Sequence, residues 1–157
     1  MKVMVEIDNR CASGQLPGES LCQSWLKATL NYLQLEGDFS VSLQFLPRSE
    51  AQALNRQYRG KSSATNVLSF PAQLPTAVLD NLEIQPLGDI AVCPELVESE
   101  AVAQNKSLES HWAHILIHGM LHLLGHDHVQ ESAATAMETI EIGVLKKFGI
   151  ANPYLIG

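Results

Sequence analysis

The sequence predicts an α+β domain, a small mixed four-stranded sheet packed with helices. Three observations carry it. Short strand-like segments recur four times before residue 93, two of them with strict apolar–polar alternation and two β-branched or apolar. Segments of helical period lie between the early ones. Three further helical segments then follow without a strand, giving the order β-α-β-α-β-β-α-α-α.

The elements follow in order. "KVMVEID" turns Val3, Val5 and Ile7 to one face, as a strand does. "ESLCQSWLKATLNYLQLEG" spaces Leu21, Trp25, Leu26, Leu30, Leu33 and Leu35 as a helix, with Gly37 placed to end it. "SVSLQFLP" alternates again through Val41, Leu43 and Phe45. "SEAQALNRQYRG" reads as a second helix, opened by a Ser49–Gln52 capping box and closed at Gly60. "TNVLSFP" is β-branched and apolar, a third strand. From Pro71 to Gly88 the chain reads as loop, and "GDIAV" as the fourth strand. Pro94 suits the first position of a helix over "PELVESEAVAQN". Ser107 can cap the next helix, which runs to about Leu124, and "ESAATAMETIEIGVLKKFG" forms the last.

A chain of 157 residues fits one domain, residues 1–157, with a core that needs no staples. Cys11, Cys22 and Cys93 are odd in number and lack CxxC spacing, so they read as plain thiols of a reducing compartment. Glu6 and Asp8 interrupt the opening apolar run, against a signal peptide, and no run reaches a membrane span. A soluble, cytoplasmic protein is expected. The net charge of −7 argues against a general nucleic-acid binder. The distribution is more permissive. Arg48, Arg56, Arg59 and Lys61 crowd into one short stretch, opposed only by Glu50. Such a cluster is by default a solvated helix face.

All six histidines lie in "HWAHILIHGMLHLLGHDH", residues 111–128, a stretch otherwise almost wholly apolar. A helix apolar nearly all round is buried. At about 100° per residue, His111, His114, His118 and His122 share one stripe of it. Buried imidazoles need partners, since an unpaired polar group costs about 1 to 3 kcal/mol. His118 and His122, one turn apart, can converge on one ion. Gly125 can stop the helix and turn the chain back, bringing His126 or His128 to the same point. Three imidazoles with an open fourth position make a catalytic metal site rather than a closed structural one. Hydrogen-bonded core histidines are the plainer alternative, disfavoured by the spacing. The pair resembles the HExxH of zinc peptidases, but Gly119 stands where those carry their general base. Close approach of a strand, or clearance for a metal or substrate, would each account for that glycine.

"HGMLHLLGHDH" resembles the HGxLHLxGxDH signature of the YbeY family, metal-dependent endoribonucleases of ribosomal RNA maturation. "LNRQYRGKSSATNVLSFP" and "LGDIAVCPE" are similar to the two blocks that precede it, so the resemblance covers most of Leu54 to His128. It implies an α+β fold with the metal-binding helix buried beside the sheet. It assigns the metal ligands to His118, His122 and His128, leaves His126 at a variable position, and places the family's arginine at Arg59.

The three-histidine spacing predicts one Zn2+ per chain, and the resemblance implies a single-strand-preferring endoribonuclease of rRNA 3′-end maturation and ribosome quality control. Single-stranded rRNA, the small ribosomal subunit and accessory ribosomal proteins are the implied partners. Arg59 can contact a phosphate in bidentate fashion, its alternative being a surface salt bridge. Asp127 can orient a ligand imidazole or shuttle a proton, or merely shape the turn. His114 can line the cleft or remain a buried hydrogen-bonded ring. Asn66 and Ser69 can meet RNA along the strand edge or serve the strand alone. Two other classes are a zinc peptidase-like hydrolase, disfavoured by Gly119, and a ribosome-associated binding protein with a structural metal.

Overall fold

The computed structural model describes residues 1–11, 16–61, 65–127 and 129–155. Four strands, β1 (Lys2–Asn9), β2 (Asp38–Phe45), β3 (Val67–Pro71) and β4 (Ile84–Val92), form one sheet in the order β1-β2-β4-β3. β1, β2 and β4 run parallel, and β3 pairs antiparallel with β4 at the edge. The helices are α1 (Glu19–Tyr32), α2 (Arg48–Arg59), α3 (Thr76–Leu79), α4 (Pro94–Ala103), α5 (Leu108–Leu123) and α6 (Glu131–Lys146). The expected α+β class and mixed four-stranded sheet are borne out.

The three parallel strands turn large apolar residues to one side of the sheet. Val3 and Val5 of β1, Val41, Leu43 and Phe45 of β2, and Ile90 and Val92 of β4 are all buried. Against them pack Trp25, Leu26 and Leu30 of α1 and Trp112, Leu116, Ile117, Met120 and Leu121 of α5. Phe45 meets Trp112 edge to face, with centroids 5.3 Å apart. Burying each such side chain stabilises the fold by about 1.5 to 3 kcal/mol. α5 is thus the apolar helix that the sequence predicts, seated between the sheet, α1, α4 and α6. On the opposite face of β3, α2 covers a smaller cluster of Leu46, Leu68 and Ala91, with Leu54 and Phe70 at its margin. This brings the end of α2 and the start of β3 near α5.

The structure revises several boundaries. α1 ends at Tyr32 rather than at Gly37, and Gln34 takes a left-handed conformation with φ 59°. α2 starts from Pro47, with no side-chain cap hydrogen bond, so the Ser49 capping box does not form. The extended Pro47 leads straight into the helix, and its carbonyl accepts from the Ala51 N–H at 3.0 Å. The expected loop from Pro71 to Gly88 contains α3 and the first half of β4. Pro86 has no N–H, and the register shifts opposite Ser40 and Val41, so this half of the strand is irregular. Gly88 has φ 135°, and a Cβ there would run into the Phe70 carbonyl oxygen.

Gly119 lies where α5 crosses β3 and β4. A Cβ on it would stand 3.0 Å from Ile90 Cγ2, 3.2 Å from Val67 Cγ2 and 3.4 Å from Ser69 Oγ. The Ser69 hydroxyl donates to the Gly119 carbonyl oxygen at 2.8 Å. The glycine therefore answers to close helix–strand packing, the first of its two expected explanations. Gly119→Glu, which restores the peptidase spacing, should destabilise the fold by about 3 kcal/mol or more through overpacking and a buried charge. Denaturant unfolding measures it, and near wild-type stability would contradict this packing account.

Candidate metal centre

Ser107 begins α5 by accepting the Ser110 N–H at 3.1 Å, as its residue type predicts. The helix ends as expected at Gly125, which has φ 94°. The Gly125 N–H donates to the His122 carbonyl at 3.1 Å, and the His126 N–H to the Leu121 carbonyl at 3.0 Å. These two bonds form a Schellman motif, which reverses the chain just after the histidine stripe. His128 lies outside the described residues, three positions beyond that glycine.

The stripe is present. Ring centroids are 6.1 Å apart for His111 and His114, 6.3 Å for His114 and His118, and 4.8 Å for His118 and His122. Behind it stands Glu141 of α6, whose side chain is 0% exposed. Its Oε1 is 2.5 Å from His118 Nδ1, and its Oε2 is 3.3 Å from His114 Nε2. The Tyr154 hydroxyl also donates to Oε2 and lies 3.2 Å from His114 Nε2. Burial alone would raise the pKa of Glu141. The hydrogen bonds from His114, His118 and Tyr154 outweigh it and hold the carboxyl down at about 2. Tyr154 is pushed well above the usual phenol range, by burial first and then by the Glu141 carboxylate.

An ionised Glu141 accepts only, so His118 presents Nδ1–H to it. The His118 lone pair is then on Nε2, on the side of the ring turned away from Glu141. Donor atoms of His114, His118 and Glu141 lie within 4.8 Å of one another, and this group could hold a metal ion. His118 and His122 also line a cavity of about 590 Å³, walled by β3 and by Arg59 at the end of α2. The structure thus brings three of the sequence-predicted residues, Arg59, His118 and His122, to one cleft.

Asn66 and Ser69 line the same cleft. Ser69 commits its hydroxyl proton to Gly119, and Asn66 donates to Glu100. Asp127 is exposed after the glycine turn, where its Oδ1 accepts the Val129 N–H at 3.2 Å. Of the basic cluster, Arg48 faces Glu95 at 3.7 Å, while Arg59 reaches the cleft. His114 is a partly buried ring hydrogen-bonded to Glu141. Cys22 and Cys93 are buried free thiols and Cys11 is partly buried, as expected. Sequence reasoning missed Glu141 and Tyr154. A signal for Glu141 existed, because it shares the buried face of α6 with Met137, Val144 and Leu145. A charge on an apolar stripe needs a partner.

The arrangement defines a class of protein: an α+β fold in which a row of histidines and an arginine line one open cleft. Comparison with known proteins narrows it. The family model described as Endoribonuclease YbeY matches residues 6–149. Endoribonuclease YbeY of Colwellia psychrerythraea is 41% identical over 157 residues, 99% of each chain. Its counterpart in Cellvibrio japonicus is 45% identical over 98% of this chain and 84% of its own. The solution structure of TM1509 from Thermotoga maritima aligns with a TM-score of 0.56 at 26% identity, over 93% of this chain and 92% of that one. The chain belongs to the YbeY endoribonuclease family. Membership supports a nuclease role. No helix among the described residues is long and apolar enough to cross a membrane.

Removing Glu141 would leave the donors of His118 and Tyr154 without their acceptor. Glu141→Ala should therefore lower stability by about 3 kcal/mol or more. Glu141→Gln, which keeps an acceptor for His118, should lose clearly less. Equal losses in denaturant unfolding would contradict the hydrogen-bonding role of this carboxylate.

Proposed function

We propose that residues 1–157 form one metal-dependent hydrolase domain that cuts single-stranded ribosomal RNA in 3′-end maturation. In this reading a single zinc ion is held by His118, His122 and His128. The observation that carries it is the His118–His122 pair facing the Arg59 cleft, with the back of the His118 ring held by Glu141. A ligand imidazole that donates its other N–H to a carboxylate is the usual support of a metal site. Two ligands of a tetrahedral ion at about 2.0 to 2.1 Å stand about 3.3 Å apart. His118 Nδ1 and Glu141 Oε1, at 2.5 Å, have hydrogen-bond spacing instead. This favours the cleft side of the ring over the His114–His118–Glu141 group as the seat of the ion.

When bound, such an ion supplies Lewis acidity and a water of lowered pKa. The chain's own residues do the rest. Arg59 offers a planar fork of donors for a phosphate whose negative charge grows in the transition state. Asp127, exposed and next to His128 in the sequence, serves as a proton carrier. β3 forms a wall that suits an unpaired strand better than a rigid A-form duplex. Gly119, packed against Ile90 and Val67, leaves a peptidase without its base. The small ribosomal subunit and its accessory proteins, in the cytoplasm, complete the reading.

Purified protein should cut labelled single-stranded RNA, leave casein intact, and stop when a chelator removes the metal. His122→Ala should abolish both stoichiometric metal and cleavage, while His114→Ala and His126→Ala should keep the metal. Loss of metal in His114→Ala with retention in His122→Ala would move the ion to the Glu141 group. An equally pure His122→Ala preparation that still cut RNA would expose a contaminating nuclease and leave the binding-protein reading. Arg59→Ala should keep metal content and melting temperature, while cleavage falls about 100-fold or more. Undiminished cleavage would return Arg59 to a surface role.

A further inference from the structure

A second polar network reaches the same cleft from the opposite end of α5. Asn66 immediately precedes β3 and lines the cleft together with Arg59, His118 and His122. Its main chain is pinned, because its carbonyl accepts the Cys93 N–H at 2.9 Å. Its side-chain Nδ2 donates to both Glu100 oxygens, at 3.1 and 3.2 Å. A carboxylate only accepts, so the carboxamide is ordered with its NH2 toward Glu100 and its Oδ1 directed away.

Glu100 is itself held by His111, whose Nε2 lies 2.9 Å from Oε1 and whose side chain is 3% exposed. Burial lowers the His111 pKa, against the opposing pull of Glu100, and so favours a neutral ring. A neutral ring that donates through Nε2–H carries its lone pair on Nδ1. That atom has no partner among the described residues. Donors therefore converge on Glu100 from both sides, and the network leaves one group for the cleft, an acceptor. Ser69 on the same wall has also committed its hydroxyl proton, to Gly119.

The two parts of the cleft are thus chemically opposite. Arg59 can only donate and suits a phosphate. Asn66 Oδ1 can only accept, so a phosphate oxygen cannot bond to it. Single-stranded RNA carries one donor at every nucleotide regardless of base, the ribose 2′-hydroxyl, which is also what separates RNA from DNA. We infer that Asn66 is a specificity-determining residue. It accepts a hydrogen bond from the 2′-hydroxyl beside the phosphate that Arg59 holds, with Glu100 and His111 as its positioning residues. This rests on the nuclease reading above.

The test is a set of fluorescent single-stranded RNAs, each carrying one 2′-fluoro group, which removes the hydroxyl donor at that nucleotide. Affinity for the intact, metal-loaded protein is read by stopped-flow anisotropy before cleavage. In the wild type one position should bind about five- to tenfold more weakly than unmodified RNA. In Asn66→Ala that difference should vanish, while the dependence on Arg59 stays. In Glu100→Ala, where Asn66 is present but no longer oriented, it should shrink. A role confined to tying β3 to α4 would leave the 2′ dependence unmoved. A wild-type series with no sensitive position overturns the inference without any variant, and so does a sensitive position that persists in Asn66→Ala. A wild type that binds no single-stranded RNA overturns the nuclease reading, and this inference with it.

Discussion

A carboxylate with no solvent exposure, set beneath a row of histidines, constrains everything around it. Glu141 has lost its water, so its charge survives only because His114, His118 and Tyr154 surround it. The same bonds act on the donors. The His118 ring is fixed in rotation and tautomer. α6 is tied to α5, and the segment bearing Tyr154 is drawn onto both. A network of this kind penalises any arrangement in which one member is missing, and so favours a single geometry.

That geometry matters because α5 is held equally closely from its other side. Gly119 lets the helix approach β3 and β4, and Ser69 bonds to its carbonyl oxygen. The histidine stripe is thus set between a polar anchor on α6 and an apolar contact with the sheet edge. α2 packs on the far face of β3 through Leu54 and Phe70, which places Arg59 on the same cleft as His118 and His122. A buried helix, an edge strand and the end of a surface helix together build one cleft lined by histidines and an arginine.

Much of this was legible in the sequence. Alternation placed Val41, Leu43 and Phe45 on the core face, and the i,i+4 histidines with Gly125 foretold a stripe ended by a left-handed turn. These signals are local, with partners a few residues apart. What escaped depended on distance. Glu141 meets His118 across 23 residues, and Asn66 meets Glu100 across 34. Spacing alone does not say which helix faces which. The irregular half of β4 escaped because Pro86 and Gly88 are turn residues by type, and here the pairing with β2 overrides them. The capping box failed at Ser49 because Pro47 supplies the helix entry instead.

The side of the His118 ring that an ion would occupy decides whether Glu141 is a ligand or a support. In the proposed centre the metal meets imidazoles alone and Glu141 acts only through His118. In the alternative, the carboxylate is itself a ligand. X-ray absorption of the zinc-loaded protein, alone and as Glu141→Gln, separates the two. Three imidazole nitrogens at about 2.0 to 2.1 Å are expected in both proteins, with the ligand set unchanged. Two imidazoles with a carboxylate oxygen that disappears in Glu141→Gln would contradict the proposed centre.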